Sequence, residues 1–528
     1  GGSGAWHSGG VRARQPCASQ PRASRQRAPR PRATRVVVRC EGIAGIDLGT
    51  TNSCVAIIDP ATGTPRIVRN AKGDPTTPSV VAFVTDDDDG SVNVLVGDIA
   101  KRQAAVNPLN TFYSAKRFMG LAAGSKECDA AAAAVPYGVV AGETEEVEAE
   151  ADGEDFDDMA ALTEPPPAAL TCPALGVALA PEAIAAEVLR TLLRDAEREL
   201  GEPVTKAVIG VPAYFSDEAV AATVRAGEAA GLTTVRTIRE PVAAAMAYGF
   251  RPDMPEEVIL VFDLGGGTFD VSVLVVGGGI VETLSTGGDT RLGGDDFDAR
   301  VAEHVLDEAL GPALGAVAKA DPAAMQRLAA TSEAVKKALS DNPAVTLRLP
   351  FFVQSDEGPV GVEERVTRNL LEKICADELR RLRMPVELCF EQAGMELEPI
   401  RQANERRERE KSRNKKQKRK QKKGGGGGGP ARSEDGLMIE EDYMAVTQVV
   451  MVGGATRMPC VQRIVRNCTG IEPEFPVNPD EAVALGAAVR AGMNSGVVEG
   501  LHAVDPWQAA LVKGLGEAGM LPIQPLDK

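Results

Sequence analysis

Two short segments far apart in the chain share one pattern, Gly45-Ile-Asp-Leu-Gly-Thr-Thr-Asn52 and Val261-Phe-Asp-Leu-Gly-Gly-Gly-Thr-Phe-Asp270. Each enters from apolar residues through Asp-Leu-Gly and leaves into a second apolar stretch, Val55-Ala-Ile-Ile58 in one and Val271-Ser-Val-Leu-Val-Val276 in the other. This is the pattern of a β-hairpin whose tip is built for close backbone approach. Glycine removes the Cβ that would hold a ligand away. The backbone N–H groups around Gly49, Asn52, Gly265, Gly266 and Gly267, with the hydroxyls of Thr50, Thr51 and Thr268, suit phosphate oxygens. Two such tips imply a nucleotide clamped between two halves of one chain.

Asp47 and Asp263 occupy the same place in each segment, just before the glycines. Two half-sites would therefore bring two carboxylates to one phosphate cluster, a repulsive arrangement unless a cation lies between them. Mg²⁺ prefers few carboxylates, several waters and phosphate oxygens. The plainer reading of either segment alone is a glycine hairpin with a solvated aspartate; the shared internal spacing is what argues against it.

With these hairpins the chain resembles the ATPase (nucleotide-binding) domain of the Hsp70 (DnaK-type) chaperone family, within the actin, sugar-kinase and Hsp70 superfamily. Four further stretches are similar to that family and keep its order: Ala207-Val-Ile-Gly-Val-Pro-Ala-Tyr-Phe-Ser216, Ile238-Arg-Glu-Pro-Val-Ala-Ala-Ala-Met-Ala-Tyr-Gly249, Gly288-Asp-Thr-Arg-Leu-Gly-Gly-Asp-Asp-Phe-Asp298, and Val452-Gly-Gly-Ala-Thr-Arg-Met-Pro459 followed by Asn478-Pro-Asp-Glu-Ala482. The resemblance runs from about Gly42 to Met493. It implies an α/β, two-lobed actin-like ATPase fold with duplicated ribonuclease-H-like cores around a central nucleotide cleft. Lobe I would take 41–253 (IA 41–79 and 180–253, IB 80–179) and lobe II 254–494 (IIA 254–292 and 372–494, IIB 293–371). Alternating strand and helix patterns agree with an α/β chain. Ser216 reads as the N-cap of a helix with Asp217 and Glu218 in its first turn.

The family's functional residues carry over onto matching positions. Lys116, in Phe112-Tyr-Ser-Ala-Lys-Arg-Phe-Met-Gly120, matches the lysine that reaches the γ-phosphate and helps place the attacking water; the lesser alternative is a surface lysine on a helix. Glu240 matches the carboxylate that holds a Mg²⁺-bound water, Asp47 and Asp263 hold the other metal waters, and Thr268 contacts the γ-phosphate. Asp270 and Asp480 match acidic groups near the phosphates and a bound K⁺. In Glu333-Ala-Val-Lys-Lys-Ala-Leu-Ser340 the spacing places Glu333, Lys336 and Ser340 on one helical face. The family uses those positions for ribose and adenine, and Arg457, after Gly453 and Gly454, for stacking on adenine. Ala455 stands where the family usually has Ser, which removes one adenine-side hydrogen bond worth roughly 1 kcal/mol. Phosphoryl transfer is mostly positioning and charge neutralisation, which a lysine, several carboxylates and Mg²⁺ can supply.

At 528 residues the chain exceeds what a single hydrophobic core usually serves, and 44% apolar content with no run of 18 apolar residues argues for a soluble protein with no membrane partner. The formal charge is −17, of which residues 1–40 contribute +9 from nine arginines with no Asp or Glu, so −26 falls on the rest. So acidic a body is a poor non-specific binder of nucleic acid. The first 40 residues have the basic, acid-poor composition of an organelle transit peptide, favouring chloroplast over mitochondrion or cytosol. The alternative is a basic tail. Nine cysteines without a CxxC pair indicate a reducing compartment, with Cys54 and Cys172 as packed thiols.

Residues 141–167 read as an acidic surface loop, and 401–433 as a basic, then glycine-only insert in lobe IIA. The 34 residues of 495–528 are too few for the peptide-gripping β-sandwich and helical lid of a full Hsp70, although a Val/Leu strand there could dock on lobe IIA. Of three candidate functions, Lys116, Glu240, Asp263 and Thr268 favour an Hsp70-like ATPase in protein folding or quality control over a nucleotide-dependent regulator that engages another Hsp70, and the stretches at 207–249 and 288–298 disfavour a sugar-kinase-type phosphotransferase. The resemblance implies ATP/ADP, Mg²⁺ and K⁺ as ligands, and J-domain co-chaperones and nucleotide-exchange factors as partners.

Overall fold

The computed structural model describes residues 42–86, 89–142, 165–249, 254–395, 397, 445–496 and 502–504. The first hairpin pairs strands Ile43–Asp47 and Asn52–Ile58, and the second Glu257–Leu264 and Phe269–Gly277. Both place an aspartate at the same register position, Asp47 opposite Cys54 and Asp263 opposite Asp270. The strands are apolar almost without alternation, because each sheet is covered on both faces.

Each hairpin is the centre of a mixed sheet of the same plan. In the first, Thr234–Arg239, Lys206–Val211 and Ile43–Asp47 run parallel, and Asn52–Ile58 and Pro65–Val68 continue as an antiparallel meander. In the second, Val446–Val452 lies parallel to Glu257–Leu264, and Phe269–Gly277 and Ile280–Asp289 continue antiparallel. The fold is therefore mixed α/β with a duplicated sheet. Helices Pro181–Leu200 and Asp217–Ala229 cover the first sheet; Ser216 caps the latter as expected, its Oγ accepting from the Ala219 N–H at 3.2 Å.

A third apolar cluster joins the sheets, with Val208 and Ile238 from one and Ile259, Val261 and Leu274 from the other, packed around Ala243–Met246 and the helix Ala482–Asn494. That last helix follows the second sheet in sequence yet lies on the first. Its small residues allow this, and so does Gly45, where a Cβ would fall 2.0 Å from the Ala488 nitrogen. On the second half, helices Gly294–His304 and Pro322–Asp341 pack with the hairpin Ala344–Ser355/Gly358–Thr367.

The strand His502–Val504 adds in parallel to the edge strand Ile280–Asp289, placing part of the tail on the second sheet. The transit-peptide expectation for 1–40 and the insert 401–433 lie outside the described residues, as does most of the acidic loop 141–167. Seven described cysteines, Cys54 and Cys172 among them, are free and buried. No described helix is long and apolar enough to cross a membrane.

Candidate nucleotide site

Both tips stand at the carboxyl ends of parallel strands, where open α/β sheets leave a crevice. Ser79 braces the first: its Oγ donates to the Gly49 carbonyl at 2.8 Å and its N–H to the Thr51 carbonyl at 2.9 Å. At the second, the Gly265 N–H donates to the Thr268 carbonyl at 3.1 Å. The Gly265 and Gly266 carbonyls accept from the N–H groups of Gly294 and Asp295, so the helix Gly294–His304 starts on the tip. The tips meet one another. Thr51 Oγ1 donates to Asp295 Oδ1 at 3.2 Å, and a Cβ on Gly266 would fall 1.7 Å from Thr51 Oγ1. At Gly267 a Cβ would stand 2.8 Å from both the Thr50 methyl and Arg117 Nε.

Behind the tips lies a buried charge cluster. Lys116 sits on the short 3-10 turn Ala115–Phe118, not on an exposed helix, and its Nζ pairs with Glu240 Oε1 at 2.9 Å, each side chain only 9% exposed. Glu240 opens the helix Glu240–Ala247, where the helix dipole favours a carboxylate. Burial, then the charge of Glu240, pushes Asp47 up to about 7 against the pull of Lys116. Asp270 also rises to about 7, from burial and Glu240, although Lys116 and the backbone N–H groups of Ala213 and Tyr214 oppose the shift. Burial, then Glu240, Asp270 and Asp47, drives Asp263 well above the carboxylate range. For Lys116, burial pulls down, but Glu240, Asp47 and Asp270 outweigh it and hold the ammonium above its ordinary value.

Four carboxylates thus share one buried lysine, and burial with mutual repulsion holds Asp47, Asp263 and Asp270 above the ordinary carboxylate range. A divalent cation fits that surplus of carboxylates. Among the described residues no three His, Cys, Asp or Glu side chains converge on one direct coordination site. The aspartates suit an ion that keeps its waters, as Mg²⁺ does.

A cavity of about 690 Å³ opens beside the tips. Thr51, Asn52, Gly265 and Gly266 wall it from the hairpins, Glu333, Lys336 and Ser340 from the helix Pro322–Asp341, and Gly454, Arg457 and Asp480 from the segments after Val446–Val452. Ala455 is buried in the same wall, and Gly453 lies behind it, its N–H donating to the Pro479 carbonyl at 3.0 Å. Several wall residues already hold protein partners. Lys336 Nζ binds Asp298 Oδ2 and the Gly294 carbonyl, both at 2.7 Å. Burial still lifts Asp298 to about 6 despite that lysine. Glu333 pairs with Lys101 at 2.5 Å and Lys337 at 2.7 Å; burial alone would raise it, but the two lysines bring it to about 2. Arg457 reaches Asp480 Oδ2 at 2.8 Å and also bonds Asn478.

Sequence reasoning missed Lys101, Arg117, Asp295 and Asp298. The last two fall inside the stretch Gly288–Asp298, so their proximity was legible there, but Lys101 sits on the helix Asp98–Gln103 and carries no local signal.

The chain matches the family model described as Hsp70 protein over residues 43–403 and 435–509, and the unmatched gap falls on the basic, glycine-rich insert. It is 43% identical over 470 residues to heat shock 70 kDa protein 6, chloroplastic, of Arabidopsis thaliana, covering 88% of this chain and 54% of that protein. The stromal 70 kDa heat shock-related protein, chloroplastic, of Pisum sativum is 41% identical over 88% of this chain and 55% of its own length. Chaperone protein dnaK of Emiliania huxleyi is 40% identical over 88% and 62%. The chain thus spans just over half the length of the plant relatives it matches. By the extent of the family match, with the duplicated sheet and paired glycine tips to go with it, the chain belongs to the Hsp70 family.

Proposed function

We propose that the chain binds ATP with Mg²⁺ between its glycine tips and hydrolyses it to ADP and phosphate, acting as the ATPase part of an Hsp70-type chaperone in protein folding or quality control. The observation that carries this reading is the buried Lys116–Glu240 pair among Asp47, Asp263 and Asp270, directly behind the tips. In this role Lys116 meets the γ-phosphate, Glu240 orients the attacking water, and Thr268 holds the phosphate edge. When bound, Mg²⁺ would neutralise phosphate charge and offset the carboxylate repulsion. Glu333, Lys336, Ser340 and Arg457 take the nucleoside, and Asp480 lies near the phosphates with K⁺. Among these, Glu333 can keep its lysines and still accept from ribose, since a carboxylate offers about four acceptor sites.

The relatives named chloroplastic and stromal support a chloroplast location, and family membership supports J-domain proteins and nucleotide-exchange factors as partners. Steady-state ATP hydrolysis with Mg²⁺ and K⁺, beside Lys116→Ala, tests the reading. Slow turnover lost in the variant, with ATP still bound, is expected; unchanged turnover overturns it. Tight ATP binding without turnover in either protein would favour a nucleotide-dependent regulator of another Hsp70.

A further inference from the structure

One wall residue is accounted for neither by the glycine tips nor by the charged helix. Phe475 is the only aromatic among the described residues lining the cavity, and it is 39% exposed, whereas Phe262 and Phe269 of the second hairpin are buried. We propose that Phe475 is a stacking platform for the base of the nucleotide and makes the site prefer purines to pyrimidines. The proposal rests on the nucleotide reading above.

Three observations support it. The segment is pinned on both sides of the ring: the Glu474 N–H donates to the Val449 carbonyl at 3.3 Å, and the Pro479 carbonyl accepts from Gly453 at 3.0 Å. Between these ties Pro476 follows Phe475 directly, and a residue before proline is restricted to extended conformations. The backbone that carries the ring is therefore restricted before any ligand arrives, which lowers the ordering cost of binding. Second, the same segment fixes Arg457, through Asn478 and Asp480, in the wall of the same cavity. Edge-on hydrogen bonds leave the faces of a guanidinium free for a flat partner. Third, an aromatic half in water at a cavity wall gains by being covered, and a bicyclic base covers more of a phenyl ring than a monocyclic one.

The test is calorimetric titration of the full chain and its Phe475→Ala, Phe475→Leu and Phe475→Tyr variants with Mg·ADP, Mg·CDP and Mg·tripolyphosphate. Base stacking measured by alanine substitution predicts about a tenfold loss of ADP affinity in Phe475→Ala and Phe475→Leu. Phe475→Tyr should stay near wild type, CDP should lose less than ADP, and tripolyphosphate should be unchanged. ADP binding within twofold of wild type in Phe475→Ala overturns the platform. Equal losses for ADP and tripolyphosphate overturn it too, since they would report a general distortion. A wild-type chain that does not bind Mg·ADP overturns the nucleotide reading itself.

Discussion

Replacing Lys116 by methionine keeps the length of the side chain and removes the one cation of the buried cluster. Its Nζ lies 2.9 Å from Glu240 Oε1 with both groups almost out of water, so the change leaves Glu240 buried and unpaired. Breaking one partner of such a pair costs about 3–5 kcal/mol. Part of that cost is relieved by protons, because Asp47 and Asp270 already sit at about 7. The sign follows from linkage: Lys116 lowers these carboxylates, so its loss raises them further, and the folded state of the variant takes up more protons than the unfolded one. The destabilisation is then larger at pH 8 than at pH 6. Thermal and denaturant unfolding of wild type, Lys116→Met, Glu240→Gln and the double variant measure the coupling. The double variant should recover stability toward wild type, since no charge is left unpaired between the two. Its turnover should stay low, because removing one group aimed at developing charge costs about 10²–10³ in rate. Strictly additive stability losses, or Lys116→Met turnover within threefold of wild type, would refute the reasoning.

The unliganded protein should lose stability as pH rises from about 5 to 7.5, since Asp47 and Asp270 move from 3.8 unfolded to about 7 folded and the folded state holds the extra protons across that window. Melting temperature against pH should show the slope, and Mg·ADP should flatten it. Glu333, held at about 2, contributes the opposite way, its stabilisation present above 4.5 and lost only as pH falls toward 2. Lys101→Ala frees Glu333 from a half-exposed pair worth at most about 1 kcal/mol, so nucleotide release in stopped flow should quicken by about two- to fivefold and depend less on salt. Gly266→Ala puts a methyl group 1.7 Å from Thr51 Oγ1 and forces the tips apart. A shift of that size should lower turnover on the order of 10²-fold, read in single-turnover hydrolysis with circular dichroism unchanged.

The two hairpins were legible because their chemistry is local. An Asp-Leu-Gly run between apolar strands needs no distant partner to be recognised, and the register places Asp47 and Asp263 equivalently, as the repeated spacing implies. The helix carrying Glu333, Lys336 and Ser340 was legible from spacing. What those side chains touch was not. Lys101 meets Glu333 across 232 residues of sequence, and Lys336 meets Asp298 across 38, so both pairings are set by the packing of separate elements. The surface-lysine alternative stayed open for Lys116 because its burial comes from Glu240, Phe215 and the hairpins, none of them its neighbours in the chain. The placement of Ala482–Asn494 on the first sheet was hidden for the same reason, since sequence order argued for the second.

Duplication itself explains one asymmetry in the site. Two equivalent hairpins offer two equivalent positions opposite the tip aspartate, and these hold Asp270 in one half and Cys54 in the other. A carboxylate at both would set a fifth negative charge against the single buried lysine, in a place where Asp47, Asp263 and Asp270 already resist ionisation. The thiol avoids this by staying neutral: burial, then Asp47, Glu481 and Asp480, pushes it well above its ordinary value, and Sγ donates to the Asp480 carbonyl at 3.4 Å. The first half instead contributes Glu240 together with its counter-ion Lys116, so the charge it adds arrives paired. The two halves thus divide their charges unequally, and Cys54 opposite Asp47, where the second half has Asp270 opposite Asp263, is the position at which they differ.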